Sequence, residues 1–150
     1  KNRCVLIARD LNLKSIEFLE IAPEKVPELQ SSADVLLLPL KKGIAKTATP
    51  SKLTAYLLSA KPVIACVEKN TDVAEIITKG QCGMIVEPEE INKLADVMLE
   101  ARNLPQETLL LMGKRSREFA LEELSKEVNI SKLISIIESQ IHHNNGDKTT

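Results

Sequence analysis

Aromatic side chains are nearly absent from this chain, which has no tryptophan, one tyrosine (Tyr56) and two phenylalanines (Phe18 and Phe119) in 150 residues. Single-strand nucleic-acid binders stack bases on aromatic platforms, and nothing here can build one. A basic excess is missing too. Twenty Lys and Arg against 21 Asp and Glu leave a formal net charge of −1, with both signs interspersed. Binding along a phosphate backbone normally needs a basic face, so nucleic acid is not an expected partner. No apolar run is long enough to span a bilayer and no signal-peptide pattern is visible, so no transmembrane segment is expected. Cysteine is scarce, and Cys4, Cys66 and Cys82 are odd in number and far apart. They predict neither a disulfide framework nor a metal site, but three buried or half-buried thiols in a reducing cytosol. There is no Gly-x-Gly-x-x-Gly, and no serine or cysteine in an elbow motif. Both histidines, His142 and His143, fall in a polar tail that reads as solvated rather than metal-binding. No nucleophile–base pair, metal or cofactor follows. The carboxylate pairs Glu89-Glu90 and Glu122-Glu123 read as solvated helix faces.

What remains is an aliphatic chain of one domain's length, with a core of Leu, Ile and Val. Lys1, in place of methionine, opens directly in helical sequence, which suggests a fragment or a processed product. Val5, Leu6, Ala8, Leu11 and Leu13 are spaced for a helix that Asn12 ends. Ser15 to Glu20 alternates as a strand, with Ile16 and Phe18 directed inward. A turn over Ala22-Pro23-Glu24-Lys25-Val26-Pro27 leads to a short helix with Val26 and Leu29 inward. Val35 to Pro39 is an unbroken apolar run, as in a parallel strand covered on both faces. The loop from Leu40 to Thr49 holds Lys41, Lys42 and Lys46 around Gly43 and carries little hydrophobic weight. It is long enough to suggest function or mobility. A strand follows at Val63–Val67, then a helix capped by Thr71 or Asp72 and ended by Gly80. Gly83–Val86 is the last strand. Pro88 and Glu89 open a helix carrying Ile91, Leu94, Val97, Met98 and Leu99. Pro105 opens another, with Leu109, Leu110, Met112, Phe119, Ala120 and Leu121. A final helix spans about Ser125 to Gln140. Residues 1–140 are thus read as one α/β domain with a mostly parallel sheet, and 141–150 as a disordered polar tail.

The chemistry concentrates in Thr47-Ala48-Thr49-Pro50-Ser51-Lys52-Leu53-Thr54-Ala55-Tyr56-Leu57-Leu58, between two strands. Pro50 and Ser51 signal a helix start. In an open α/β sheet, ligands bind at loops leaving the carboxyl ends of strands. A helix start there offers unpaired N–H groups and the positive end of the dipole, which suit a phosphate. Lys52 adds a cation where the dipole disfavours one, as expected if an anion sits nearby. A solvated surface lysine is the alternative reading.

Three segments taken together resemble the donor-binding half of GT-B glycosyltransferases. They are Ala33-Asp34-Val35-Leu36-Leu37-Leu38-Pro39, Thr49-Pro50-Ser51-Lys52-Leu53 and Ser59-Ala60-Lys61-Pro62-Val63-Ile64-Ala65. The chain is most similar to the retaining bacterial glycosyltransferases of family four, in the order and spacing of these motifs. The flanks at Ser15–Glu28, Glu75–Pro88 and Arg115–Leu133 are similar as well. The resemblance implies a Rossmann-like C-terminal half lacking its first two strands, with a sheet of order 3-2-1-4-5-6 in the whole. Ser15–Glu20 would be the third strand, either paired directly with the Val35 strand or loosely attached. The implied function is transfer of a hexose, with retention, from a nucleotide-diphosphate sugar to a polysaccharide or glycolipid acceptor. The acceptor would be held by an N-terminal domain, in a cytoplasmic protein with peripheral association at the inner face of the membrane left open. The fragment alone would be inactive.

The resemblance places the donor diphosphate and sugar at Thr47, Ala48, Thr49, Pro50, Ser51, Lys52 and Leu53. It places the ribose beside Ala55, and the base at Ile21, Ala22, Pro23 and Val26. Many members carry Glu-x7-Glu where this chain has Thr47 and Ala55, and a glycine where it has Ala60. Those departures leave a second reading, a non-catalytic Rossmann-like module that binds a phosphate or a protein.

Overall fold

A computed structural model describes residues 2–46 and 50–146, with side chains over 3–46 and 50–139. Among the described residues three short strands form one parallel sheet in the order β1 (Leu36–Pro39), β2 (Val63–Cys66), β3 (Gly83–Val86). Leu38 lies opposite Ala65, and Ala65 opposite Ile85. Leu37, Ile64 and Met84 form the neighbouring row. Because strand side chains alternate, these two rows face opposite sides of the sheet. β2 is buried at every position, as the central strand of three.

The first face packs Leu38, Val63, Ala65 and Val67 against Leu53, Leu57, Val73, Ile77 and Ala120. Those residues come from α3 (Ser51–Leu58), α4 (Asp72–Lys79) and α6 (Gln106–Glu123). Leu53 and Leu57 have no exposed surface, and each contributes roughly 1.5–3 kcal/mol by leaving water. The second face packs Leu37, Ile64, Met84 and Val86 against Leu94, Val97 and Ala101 of α5 (Ile91–Asn103). Helices on both faces of a parallel sheet make this an α/β, Rossmann-like layer arrangement.

Helix ends follow local chemistry. α1 (Asn2–Asp10) closes at Asn12 with φ 50, where Leu13 N–H reaches Ala8 O and Asn12 N–H reaches Arg9 O. This is a Schellman end with asparagine in the left-handed position, as expected for the terminator. α4 ends in the same way, but its left-handed residue is Gln81 (φ 45) rather than Gly80 (φ −72). Gly80 is small for another reason: a Cβ there would meet Ile76 O, Cys82 Sγ and Phe119 Cγ at 3.0–3.1 Å.

Several expectations are corrected. Ser15–Glu20 forms no strand, and Ile16, Phe18 and Leu19 are exposed. A strand needs a ladder partner, and among the described residues β1 pairs only with β2, so the direct pairing does not occur. Phe18 therefore does not enter the core. Val5, Leu6, Leu11 and Leu13 are exposed as well, leaving Ala8 as the buried residue of α1, and Cys4 is exposed. The turn after Ala22 is a 3-10 helix, Pro23–Lys25, leading to α2 (Val26–Ser32). In α2 Val26 is half-buried, and Leu29 is exposed rather than inward. On α5 the inward stripe is half-buried Leu94 and Val97 with buried Ala101, while Ile91, Met98 and Leu99 face solvent. On α6, Leu110 and Leu121 are exposed, and the buried stripe is Gly113, Ser116 and Ala120. α7 (Lys126–Gly146) continues past Gln140, so the segment expected as tail begins inside a helix; 147–150 lie outside the described residues.

Candidate functional site

β1 and β2 run in parallel, so both deliver their chains to the same edge of the sheet. Leu40 N–H, just past β1, still bonds Cys66 O at 3.3 Å. The chain then turns through Lys41–Ile44, with Gly43 at φ 87, into a 3-10 turn at Ile44–Lys46. That positive φ is the left-handed region where glycine carries no steric cost. Ala45 in this turn is buried, so the loop does carry hydrophobic weight. Thr47, Ala48 and Thr49, three of the expected diphosphate residues, lie outside the described residues.

The other four expected residues lie at the start of α3. Pro50 is its N-cap, extended at φ −66 and ψ 132, and Leu53 N–H bonds Pro50 O at 2.9 Å. Proline has no side-chain acceptor, so among the described residues no side chain caps this helix, and its first turn contains no acid. Ser51 and Lys52 are exposed, while Leu53 is buried in the core and anchors the turn. The first N–H groups of a helix have no intrahelical acceptor. This start therefore presents N–H donors and a cation to solvent, on a base held by Leu53.

α4 leaves the same edge with the opposite chemistry. Thr71 Oγ1 accepts from Ala74 N–H at 3.4 Å and donates to Glu68 O at 2.7 Å. Asp72 and Glu75 add negative charge to its first turn.

Glu68, between β2 and α4, is the residue that the motif reading missed. It is 6% exposed. Its Oε1 accepts from Gly43 N–H at 2.7 Å, while its Oε2 is enclosed and has no hydrogen-bond partner. The Gly43 bond, its own backbone N–H and the nearby Lys46 and Lys42 hold this carboxyl below the usual glutamate range. The available signal was its position, as a lone acid closing the apolar run Pro62–Val67 at a strand's carboxyl end.

The expected base residues lie around the 3-10 turn and the start of α2, and the ribose-side residue lies on α3 itself. Ile21 and Val26 are half-buried, and Ala22 and Pro23 are exposed. α2 is tied to α3 by Ser59 Oγ donating to Gln30 Oε1 at 3.2 Å. That link lies at the far end of a helix roughly 12 Å long from Pro50. Ala55 is exposed, and its methyl group offers no acceptor for a ribose hydroxyl. Ala60 has φ 55, a conformation suited to the glycine expected there. Burial pushes the Cys82 thiol up to about 11 and raises Cys66 as well, so neither suits a nucleophile. An apolar cleft lined by Val35, Leu37, Ile64 and Met98, with Asp34 and Arg102 at polar positions, contains none of the expected site residues. Among the described residues there is no cluster of potential metal ligands, and no helix is long and apolar enough to cross a membrane.

Comparison with known proteins agrees with this architecture. The family model for glycosyl transferases group 1 matches residues 2–104. WcaI of Escherichia coli (strain K12), whose name assigns it to colanic acid biosynthesis as a glycosyl transferase, is 27% identical over 139 residues. The match takes in 91% of this chain and 33% of WcaI. Among solved structures, sucrose-phosphate synthase from Thermosynechococcus elongatus superposes with a TM-score of 0.73 at 19% identity. That match covers 95% of this chain and 34% of the synthase, and shows a shared GT-B fold. The chain thus spans about a third of the length of each.

Proposed function

From the premise that this chain belongs to the group 1 glycosyl transferases, we propose that it is the donor-binding part of a retaining enzyme using a nucleotide-diphosphate sugar. The diphosphate is received at the start of α3. Ser51 and Lys52 N–H groups and the Lys52 ammonium meet the charge that grows on the leaving phosphate, where fixed donors lower the barrier most. Thr47, Ala48 and Thr49 belong to the same donor site. The observation that carries this reading is the uncapped, acid-free α3 start at the carboxyl edge of a parallel sheet.

The base lies along Ile21–Val26, held by backbone groups, with the ribose passing Ala55. The acceptor is a growing polysaccharide or a glycolipid, in line with the process for which WcaI is named. The sugar transferred is a hexose. The acceptor site belongs to the part of a longer protein that this chain does not span, and the intact protein works in the cytoplasm. The exposed apolar run at Ile16, Phe18 and Leu19, and the outer edge of β1, support two further strands lying between them.

The test is a titration of the full-length protein with UDP-, GDP- and ADP-sugars and their diphosphates. Lys52→Ala should weaken the tightest of them by about 1–2 kcal/mol, the range for a charge-assisted hydrogen bond. Unchanged affinity in that variant would overturn the assignment.

A further inference from the structure

The motif residues do not account for Glu68. The residue is more than nine-tenths buried, between β2 and α4. One oxygen holds Gly43 N–H at 2.7 Å, across 25 positions of sequence. The other is enclosed without a donor. A buried, half-satisfied carboxylate is costly, and an apolar side chain would relieve the cost. Stability alone therefore does not explain a charge here. The bond it makes is specific in direction, since Gly43 sits at φ 87 with open space around the position of a Cβ. Glycine is thus required there by the backbone and not by crowding. The carboxylate fixes that turn, and the turn carries Lys42 and Lys46, whose charges act on Glu68. Ala45 of the same loop is buried in one cluster with Leu53 of the first turn of α3.

We infer that Glu68 is a positioning residue for the donor diphosphate, acting through the Gly43 turn to set the lysine-bearing loop that shares a core with the α3 start. This rests on the α3 start being the diphosphate site. Glu68 itself touches no ligand. Its Oε1 holds the turn from which Lys42 and Lys46 project.

The full-length protein is titrated with UDP, GDP and ADP, and the Gly43 amide is followed by 1H–15N NMR. In the wild-type protein that amide proton should lie downfield, as expected for a short bond to a carboxylate. Glu68→Ala should move it upfield and weaken the tightest diphosphate about fivefold or more, the loss of one hydrogen bond's worth of order. Glu68→Gln keeps an oxygen for Gly43 and should recover affinity to within about threefold. Glu68→Asp keeps the charge but withdraws the acceptor, so it should behave like Glu68→Ala and carries the test if the alanine variant does not fold. A merely structural glutamate would lower the melting temperature without this pattern. If Lys52→Ala loses affinity while Glu68→Ala and Glu68→Asp do not, the inference falls and the diphosphate site stands. If Lys52→Ala binds as wild type, the site reading falls, and the donor role of Glu68 with it.

Discussion

Two helices of equal length leave the same edge of the sheet, and their first turns are built in opposite ways. α4 begins at Thr71, whose hydroxyl is buried and bonded both to Ala74 N–H and to Glu68 O, with Asp72 and Glu75 following. α3 begins at Pro50, without a side-chain cap and with Lys52 in its first turn. The same dipole is neutralised from within in α4 and left open in α3. A cap contributes about 1 kcal/mol, so leaving it out forgoes stability. The difference teaches that a candidate ligand-binding helix start is marked less by what it contains than by what a capped one beside it has and it lacks.

The comparison breaks most completely if α3 loses its seat. Its C-terminal end is pressed by α6, where a Cβ on Gly113 would come 2.2 Å from Ala60 O. Gly113→Ala should therefore destabilise the chain by about 2–3 kcal/mol, the upper range for overpacking, with a matching fall in the midpoint of chemical denaturation. A sharper break leaves the fold alone. Ser51→Asp gives α3 the acid that α4 already has. It should cut nucleoside diphosphate affinity by roughly tenfold through like-charge repulsion, with a melting temperature equal to or above wild type. A stable variant that binds diphosphate undiminished would erase the contrast. The mirror experiment is smaller. Thr71→Ala should cost about 1 kcal/mol of stability and leave diphosphate affinity unchanged, as calorimetry and titration of one preparation would show.

The same contrast explains which parts of the fold were legible in the sequence. β1, β2 and β3 were readable because buried parallel strands are continuous apolar runs, and α3 because Pro-Ser marks its start. Ser15–Glu20 was misread because alternation predicts a strand only where a neighbour completes the ladder, and none of the described residues does. α6 was read by its large side chains, yet it packs through Gly113, Ser116 and Ala120. Small residues let two backbones approach closely, and a periodicity of bulk cannot register them. Glu68 escaped for a related reason. Its partner is a backbone N–H remote in sequence, which no side-chain pattern records.

Ser116 has a consequence for how motion is distributed in the molecule. Its hydroxyl is fully buried and lies 2.9 Å from Lys61 O, 3.0 Å from Met112 O and 3.3 Å from Cys82 O. Lys61 and Cys82 lead into β2 and β3, so one side chain ties the amino-terminal ends of both strands to α6. A hydroxyl has one proton, which serves one of these carbonyls at a time. Where its rotor points can change without the three backbones parting. The end of the sheet remote from the α3 start is thus cross-linked by a bond that can be exchanged rather than broken. Local opening should therefore begin at the carboxyl edge, with the base of the sheet yielding only in global unfolding.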